Sequence, residues 1–138
     1  MQADEKQKTE YAPLSEREEE IGRNIVESAL SVHRALGPGL LEKVYEVCFC
    51  HELRKRGFEV QPQIEIPIQY DGITFDEGMR CDVLVESLVI CELKAVEQLN
   101  PVWDAQLLSQ LRMANKRLGN RINFNVPLIK GGIKRIIN

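Results

Sequence analysis

No run of the sequence approaches the roughly 18 apolar residues that a membrane-spanning helix needs. Its first ten residues, Met1 to Glu10, are polar and charged and lack the apolar stretch of a secretory leader. A cytoplasmic protein with no membrane partner is therefore expected. CxxC pairs are also missing: Cys48, Cys50, Cys81 and Cys91 make one CxC and two single positions, and His33 and His51 have no His or Cys at ligand spacing. Zinc and iron–sulfur sites usually announce themselves by such pairs. The cysteines read instead as reduced, mostly buried thiols, and the histidines as helix-surface or partly buried residues. Finally, no Asp or Glu follows Asp104. Beyond it stand seven cations, Arg112, Lys116, Arg117, Arg121, Lys130, Lys134 and Arg135, so a formal net charge of −3 leaves −10 on residues 1–104. A basic third of this kind suits either a phosphate backbone or a solvated face on an otherwise acidic protein.

What is present fits one domain: 138 residues, 43% hydrophobic and 28% charged. Residues 1–14 are charged, aperiodic and contain Pro13, and are expected to be a disordered arm preceding a single domain over residues 15–138. Ser15 and Glu18 have capping-box spacing, and Ile21, Ile25, Ala29, Val32 and Leu36 recur at helical intervals up to the break at Gly37-Pro38-Gly39. A second helix follows, with Leu41, Val44, Tyr45, Cys48 and Leu53 as its expected apolar face and Gly57 as its stop. From Phe58 the period changes to two, Asp71-Gly72 signals a hairpin, and a meander of short strands continues to about Ala95. Asn100-Pro101 opens a third helix with Ala105, Leu108, Leu111 and Leu118 expected inside and Gly119 as its end. Strands over 122–128 and 133–137 close the chain. The order predicts an α/β domain with helices packed on a mixed sheet.

The stretch from Arg80 to Lys94 reads as a hairpin turning near Ser87. A three-residue loop over Glu86 to Leu88 would set Asp82 opposite Glu92 on one face, joined by Lys94 two residues along, with Val83, Val85, Val89, Cys91 and Leu93 filling the other. A two-residue loop would place the carboxylates on opposite faces, so the site depends on register. Converging carboxylates repel one another and resist desolvation, which makes a divalent cation a natural counter-charge. Oxygen ligands favour Mg²⁺ or Mn²⁺ over zinc, and a neighbouring lysine can position water or offset developing negative charge. The same three residues could equally form a surface salt bridge.

Gly39-Leu40-Leu41-Glu42-Lys43-Val44-Tyr45 is a literal GxxExxY. With Asp82, the Glu92-Leu93-Lys94 triplet and Ala95-Val96-Glu97 after it, Ala105-Gln106-Leu107-Leu108, Leu118-Gly119, Ile122-Asn123-Phe124-Asn125 and Gly132-Ile133-Lys134-Arg135, it forms an ordered series. That series resembles the GxxExxY family of the PD-(D/E)xK phosphodiesterase superfamily, over roughly residues 21–138. The resemblance implies a restriction-endonuclease-like core, a mixed β-sheet flanked by helices. It also implies a catalytic set of Glu42, Asp82, Glu92, Lys94 and Gln106, in which Asp82 and Glu92 bind the ion, Glu42 supports it directly or through water, and Lys94 and Gln106 orient the attacking water. Tyr45 either steadies Glu42 or is an ordinary core tyrosine. Trp103, Gln106, Gln110, Met113 and Arg117 form one helical stripe, either a cleft wall or a solvated face. Trp103, Gln110, Asn120 and Arg121 depart from the family pattern, which more often has histidine, tyrosine and, at the last two, apolar residues.

The leading expectation is thus a Mg²⁺- or Mn²⁺-dependent nuclease that takes DNA in preference to RNA, with phosphate contacts from the seven C-terminal cations. A homodimer or larger complex would help a domain of this size hold a long substrate. The rival is a catalytically inactive module of the same fold that binds nucleic acid or a protein partner.

Overall fold

The computed structural model describes residues 12–138; most of the expected arm lies outside them. Its last residues lie against the domain: Leu14 packs on the core, and the Arg117 guanidinium donates to the carbonyls of Ala12 and Pro13. The elements in chain order are α1 (Glu16–Leu36), α2 (Glu42–Lys55), β1 (Val60–Glu65), β2 (Ile68–Tyr70), β3 (Ile73–Phe75), β4 (Arg80–Val85), β5 (Val89–Lys94), α3 (Val102–Ala114), β6 (Leu118–Asn123), a 3₁₀ turn (Ile129–Gly132) and β7 (Ile133–Ile137). Five strands form one mixed sheet in the order β1-β4-β5-β6-β7, with β5 and β6 parallel and the other pairs antiparallel. Parallel neighbours need a crossover. Helix α3 supplies it.

Helix α1 begins as its sequence dictates. The Ser15 hydroxyl accepts from the Glu18 N–H while the Glu18 carboxylate accepts from the Ser15 N–H, and Gly37 ends the helix. Its Ile21, Ile25, Ala29 and Val32 pack with Tyr45 and Phe49 of α2 against the odd-numbered side chains of the central hairpin, Val83, Val85, Val89, Cys91 and Leu93. The other face of the sheet is covered by Leu107 and Leu111 of α3 over Cys81 and Ile90. This is the three-layer, restriction-endonuclease-like arrangement expected.

Four local expectations are corrected. The buried face of α2 is Tyr45, Glu46, Phe49, Cys50 and Leu53, while Leu41 is 77% exposed and Val44 also faces solvent. Phe124 turns the helix this way: Tyr45 stacks on it with ring centroids 4.6 Å apart, and Phe49 meets its edge. Strands β2 and β3 do pair around Asp71-Gly72, but as a separate hairpin, because β1 pairs directly with β4. Each is three residues long, and Ile68, Tyr70, Ile73 and Phe75 share one face of this hairpin, left largely exposed instead of joining the core. Helix α3 ends at Ala114 on a left-handed Asn115 cap, with Leu107, Gln110 and Leu111 buried rather than Ala105 and Leu108. Leu118 and Gly119 consequently belong to β6, which runs through the middle of the sheet with every residue buried. Beyond it the expected strand over 122–128 is replaced by loop and 3₁₀ turn.

The buried polar residues of β6 are nearly all satisfied. Arg121, 8% exposed, pairs with Asp104 of α3 at 2.7 Å, and Asn123 grips the segment after β5 by accepting from the Val96 N–H and donating to the Val96 carbonyl. Asn120 Nδ2 alone on this strand lacks a partner. Gly132 passes so close to Asn123 that a Cβ would lie 2.2 Å from its carbonyl oxygen. Gly132→Ala is expected to cost about 2 kcal/mol or more by forcing backbone apart. An urea or thermal melt superimposable on wild type would refute that packing account.

Candidate functional site

The hairpin has the three-residue loop. Val85 pairs with Val89, Leu84 with Ile90 and Val83 with Cys91, and this register brings Asp82 beside Glu92 where the ladder ends. Two hydrogen bonds fix them there. The Leu93 N–H donates to Asp82 Oδ2 at 2.8 Å, and the Asp82 N–H donates to Glu92 Oε1 at 3.3 Å. Glu86 and Ser87 take left-handed backbone angles, each at φ 53°. Glu86 is held by its surroundings: its carboxylate accepts from the Glu59 N–H and pairs with Arg17, and its own N–H donates to the Glu59 carbonyl. Those bonds, the Glu59 N–H first, keep the Glu86 carboxyl below its ordinary pKa.

Burial drives the electrostatics of the pair. It pushes Glu92 from the usual 4.5 to about 8, with the neighbouring Asp82 charge adding to the rise and a side-chain hydrogen bond from Gln110 opposing it. Glu42, in the first turn of α2, faces solvent on its outer side. Partial burial of its inner side raises its pKa, the Asp82 charge raises it further, and Lys94 lowers it. Glu42 thus senses both Asp82 and Lys94. It does not close on them: among the described residues no three His, Cys, Asp or Glu side chains gather tightly enough to make a ready cage for a cation.

The turn that delivers Glu42 explains the GxxExxY spacing. Gly39 sits at φ 100°, where a side chain is strained. Tyr45, fully buried, donates its hydroxyl proton to the Gly37 carbonyl at 2.6 Å and accepts from the Leu40 N–H at 3.1 Å. Tyr45 therefore steadies the turn that carries Glu42 and makes no bond to the carboxylate.

Lys94 is half-buried, with its ammonium 4.3 Å from the centre of the Trp103 ring. Such a contact is worth about 0.5–2 kcal/mol, against about 0–1 for an exposed ion pair, so the ring can compete with a carboxylate for the cation. Gln106 is exposed on α3, one turn before Gln110, and makes no hydrogen bond among the described residues. Gln110, 6% exposed, reaches Glu92 instead and donates weakly to the Arg80 carbonyl at 3.5 Å, leaving its Oε1 without a partner. Of the two readings left open for its stripe, cleft wall or solvated face, Gln110 takes the inner one while Met113 is exposed; the buried Leu107 nearby marks the inner side.

The seven C-terminal cations do not form one face. Arg121 and Lys134 both bind Asp104, Arg135 binds Glu19, and Arg117 caps the carbonyls of Ala12, Pro13 and Asn138. Burial would raise Asp104, but hydrogen bonds from Lys134 and Arg121 prevail and hold it below its ordinary pKa. Arg121 is thereby committed to the interior, a correction to its expected phosphate role. Arg112, Lys116 and Lys130 form no ion pair among the described residues. The four cysteines are free and three of them buried, as read: burial raises Cys50 to about 11, Cys81 to about 12 and Cys91 well above its usual value. His33 Nε2 lies 2.8 Å from the Val126 carbonyl, a structural contact.

Asp82 and Glu92 are thus linked across adjacent strands, with Lys94 two residues beyond Glu92 on the same strand. The model of the PD-(D/E)XK nuclease superfamily matches residues 19–136. The chain belongs to that superfamily. A search of the curated proteins and one of the solved structures each gave no match. Superfamily membership gives the chain a nuclease scaffold. No helix of the described residues is long and apolar enough to cross a membrane.

The raised Glu92 has a thermodynamic signature. An acid with a raised folded-state pKa contributes stability that is intact below its unfolded value and lost as pH climbs through the folded one, here between 4.5 and about 8. Metal-free wild type is therefore expected to lose stability across that window, and Glu92→Gln to lose much less. Chelator-treated melts at pH 5 and pH 8.5 with equal losses in both proteins would contradict the burial of Glu92.

Proposed function

We propose that this protein is a Mg²⁺- or Mn²⁺-dependent nuclease of the GxxExxY type that hydrolyses phosphodiester bonds of nucleic acid. The observation that carries the reading is the hydrogen-bonded Asp82–Glu92 pair, with Lys94 two residues along β5 from Glu92. Superfamily members generally use divalent metal ions. The donor set fits one: the site is all oxygen, and burial together with the neighbouring Asp82 charge raises Glu92 to about 8, a cost that a cation would relieve. Mg²⁺ is commonly held by one or two carboxylates and keeps several waters, so a pair is enough and a full protein cage is not required. Asp82 and Glu92 would hold the ion, and Glu42 would support it through water, in keeping with its standing off from the pair. When bound, the cation supplies the Lewis acidity that polarises a phosphodiester oxygen.

The chain's own residues supply the rest. Lys94 offsets negative charge growing on the phosphate and helps place the attacking water. Gln110, buried close to Glu92, favours its charged form. Gln106, exposed on the same helix, is assigned to water or substrate at the mouth of the site. Arg112 and Lys116, on and just after α3, are the C-terminal cations left to meet phosphates on that side. We assign DNA as the substrate in preference to RNA, and a cytoplasmic setting; a second copy or larger assembly would extend the substrate track.

Asp82→Asn is the informative variant, since the amide oxygen can still accept from the Leu93 N–H. Calorimetric titration of Mn²⁺ and Mg²⁺, followed by incubation with plasmid, single-stranded DNA and RNA, is expected to show saturable binding and cleavage in wild type. Both should fall more than about 100-fold in the variant. Metal binding with no cleavage of any substrate would favour the catalytically inactive module, and a folded wild type that binds no metal would sink the reading.

A further inference from the structure

Lys94 has acids in its neighbourhood and pairs with none among the described residues. Glu92 lies two residues away on the same face of β5, and Glu42 feels the ammonium's charge, yet among the described residues Lys94 forms no ion pair. Its ammonium rests over the indole of Trp103, 4.3 Å from the ring centre. A lysine on a flexible four-carbon stem settles on the best partner within reach. Here that partner is a neutral ring.

The ring is well placed to hold it. Trp103 stands in the first turn of α3, where Asn100 accepts from the Trp103 N–H at its carbonyl and from the Val102 N–H at its Oδ1, both at 3.0 Å. One turn on, Leu107 is fully buried against the sheet and fixes the rotation of the helix. Trp103 therefore reaches Lys94 from an anchored element, and the two make a contact whose strength rivals that of a surface ion pair.

We propose that Trp103 is a positioning residue that holds the Lys94 ammonium off the Asp82 and Glu92 carboxylates, which keeps their oxygens open to a divalent cation and leaves the ammonium free for phosphate. This rests on the metal-dependent reading above. The reasoning is competitive. If the ring is removed, the ammonium falls onto the nearest carboxylate and forms an internal ion pair, and a cation can then enter only by breaking it. The indole thus weakens a rival for the ligand oxygens without touching them. Phenylalanine can do the same less strongly; leucine cannot.

The test is calorimetric titration of Mn²⁺ into wild type, Trp103→Leu, Trp103→Phe, Lys94→Met and the Lys94→Met/Trp103→Leu double variant. Trp103→Leu is expected to weaken Mn²⁺ binding about 3- to 10-fold. Trp103→Phe should retain most of the affinity, Lys94→Met should bind at least as tightly as wild type, and adding Trp103→Leu to Lys94→Met should change nothing further. In metal-free protein the Lys94 ε-methylene protons should resonate upfield from the ring current and lose that shift in Trp103→Leu. Trp103→Met, an adaptable filler without a π face, gives the same comparison if Trp103→Leu melts too low. Unchanged affinity in the ring-free variants, or an equal loss in the Lys94→Met background, overturns the proposal and leaves the metal reading standing. A folded wild type that binds no Mn²⁺ overturns both.

Discussion

Three residues, Glu86 to Leu88, separate β4 from β5, and that loop length decides which side chains share a face. With it Asp82 comes beside Glu92 and five apolar residues point to the helices; one residue fewer would send one carboxylate into the core. Two non-glycine residues in left-handed conformation cost about 1–2 kcal/mol each. That cost is offset from three directions: the Glu59 N–H and Arg17 hold the Glu86 carboxylate, the Glu59 carbonyl takes the Glu86 N–H, and the core layer of Val83, Val85, Val89, Cys91 and Leu93 tolerates no slip. Arg17 comes from the first turn of α1, so the helix N-terminus, the edge strand and the turn are tied at one point. The carboxylate pair inherits its geometry from that tie.

Charge is distributed to serve the same end. The acids of the site are pressed together in partial burial, whereas most of the C-terminal cations are drawn away to assemble the domain. Asp104 gathers Lys134 from β7 and Arg121 from β6 onto α3, and Glu19 of α1 takes Arg135 from the other face of the same strand. Arg117 binds carbonyls from both ends of the described chain. The basic third read from the sequence is thus largely a set of ties between elements. Sequence position and formal charge could not show this, since Asp104 precedes its partners by 17 and 30 residues.

The legible parts of the sequence were those governed by local chemistry. The Ser15–Glu18 capping box, the Asp71-Gly72 hairpin and the alternation of the Arg80–Lys94 segment each depend on neighbours a few residues apart, and each appears as read. The misread parts depend on distant partners. Leu-Gly-Asn-Arg-Ile-Asn shows no strand period, yet it forms the buried β6, because Arg121 and Asn123 find partners on α3 and after β5. Helix α2 carries apolar residues around most of its circumference, so its pattern alone did not select a face; Phe124, 79 residues after Tyr45, selected it by stacking. Within the site, Asp82, Glu92 and Lys94 were readable because strand parity fixes them. Glu42 came from the resemblance alone, and how near it stands to the pair depends on how α2 docks.

Helix α3 shows why that last layer matters. Trp103 and Gln110, which depart from the GxxExxY pattern that the sequence resembles, are the two whose side chains come near the strand motif, while Gln106, which matches that pattern, faces solvent. Both differences act on charge without adding any. The Gln110 amide, close to Glu92, opposes the burial that favours its protonated form, whereas the Trp103 face receives the ammonium of Lys94. A charged residue at either position would alter the net charge that an incoming cation meets. A neutral donor and a neutral π face leave that charge to Asp82, Glu92, Glu42 and Lys94, and adjust only where the proton and the ammonium sit.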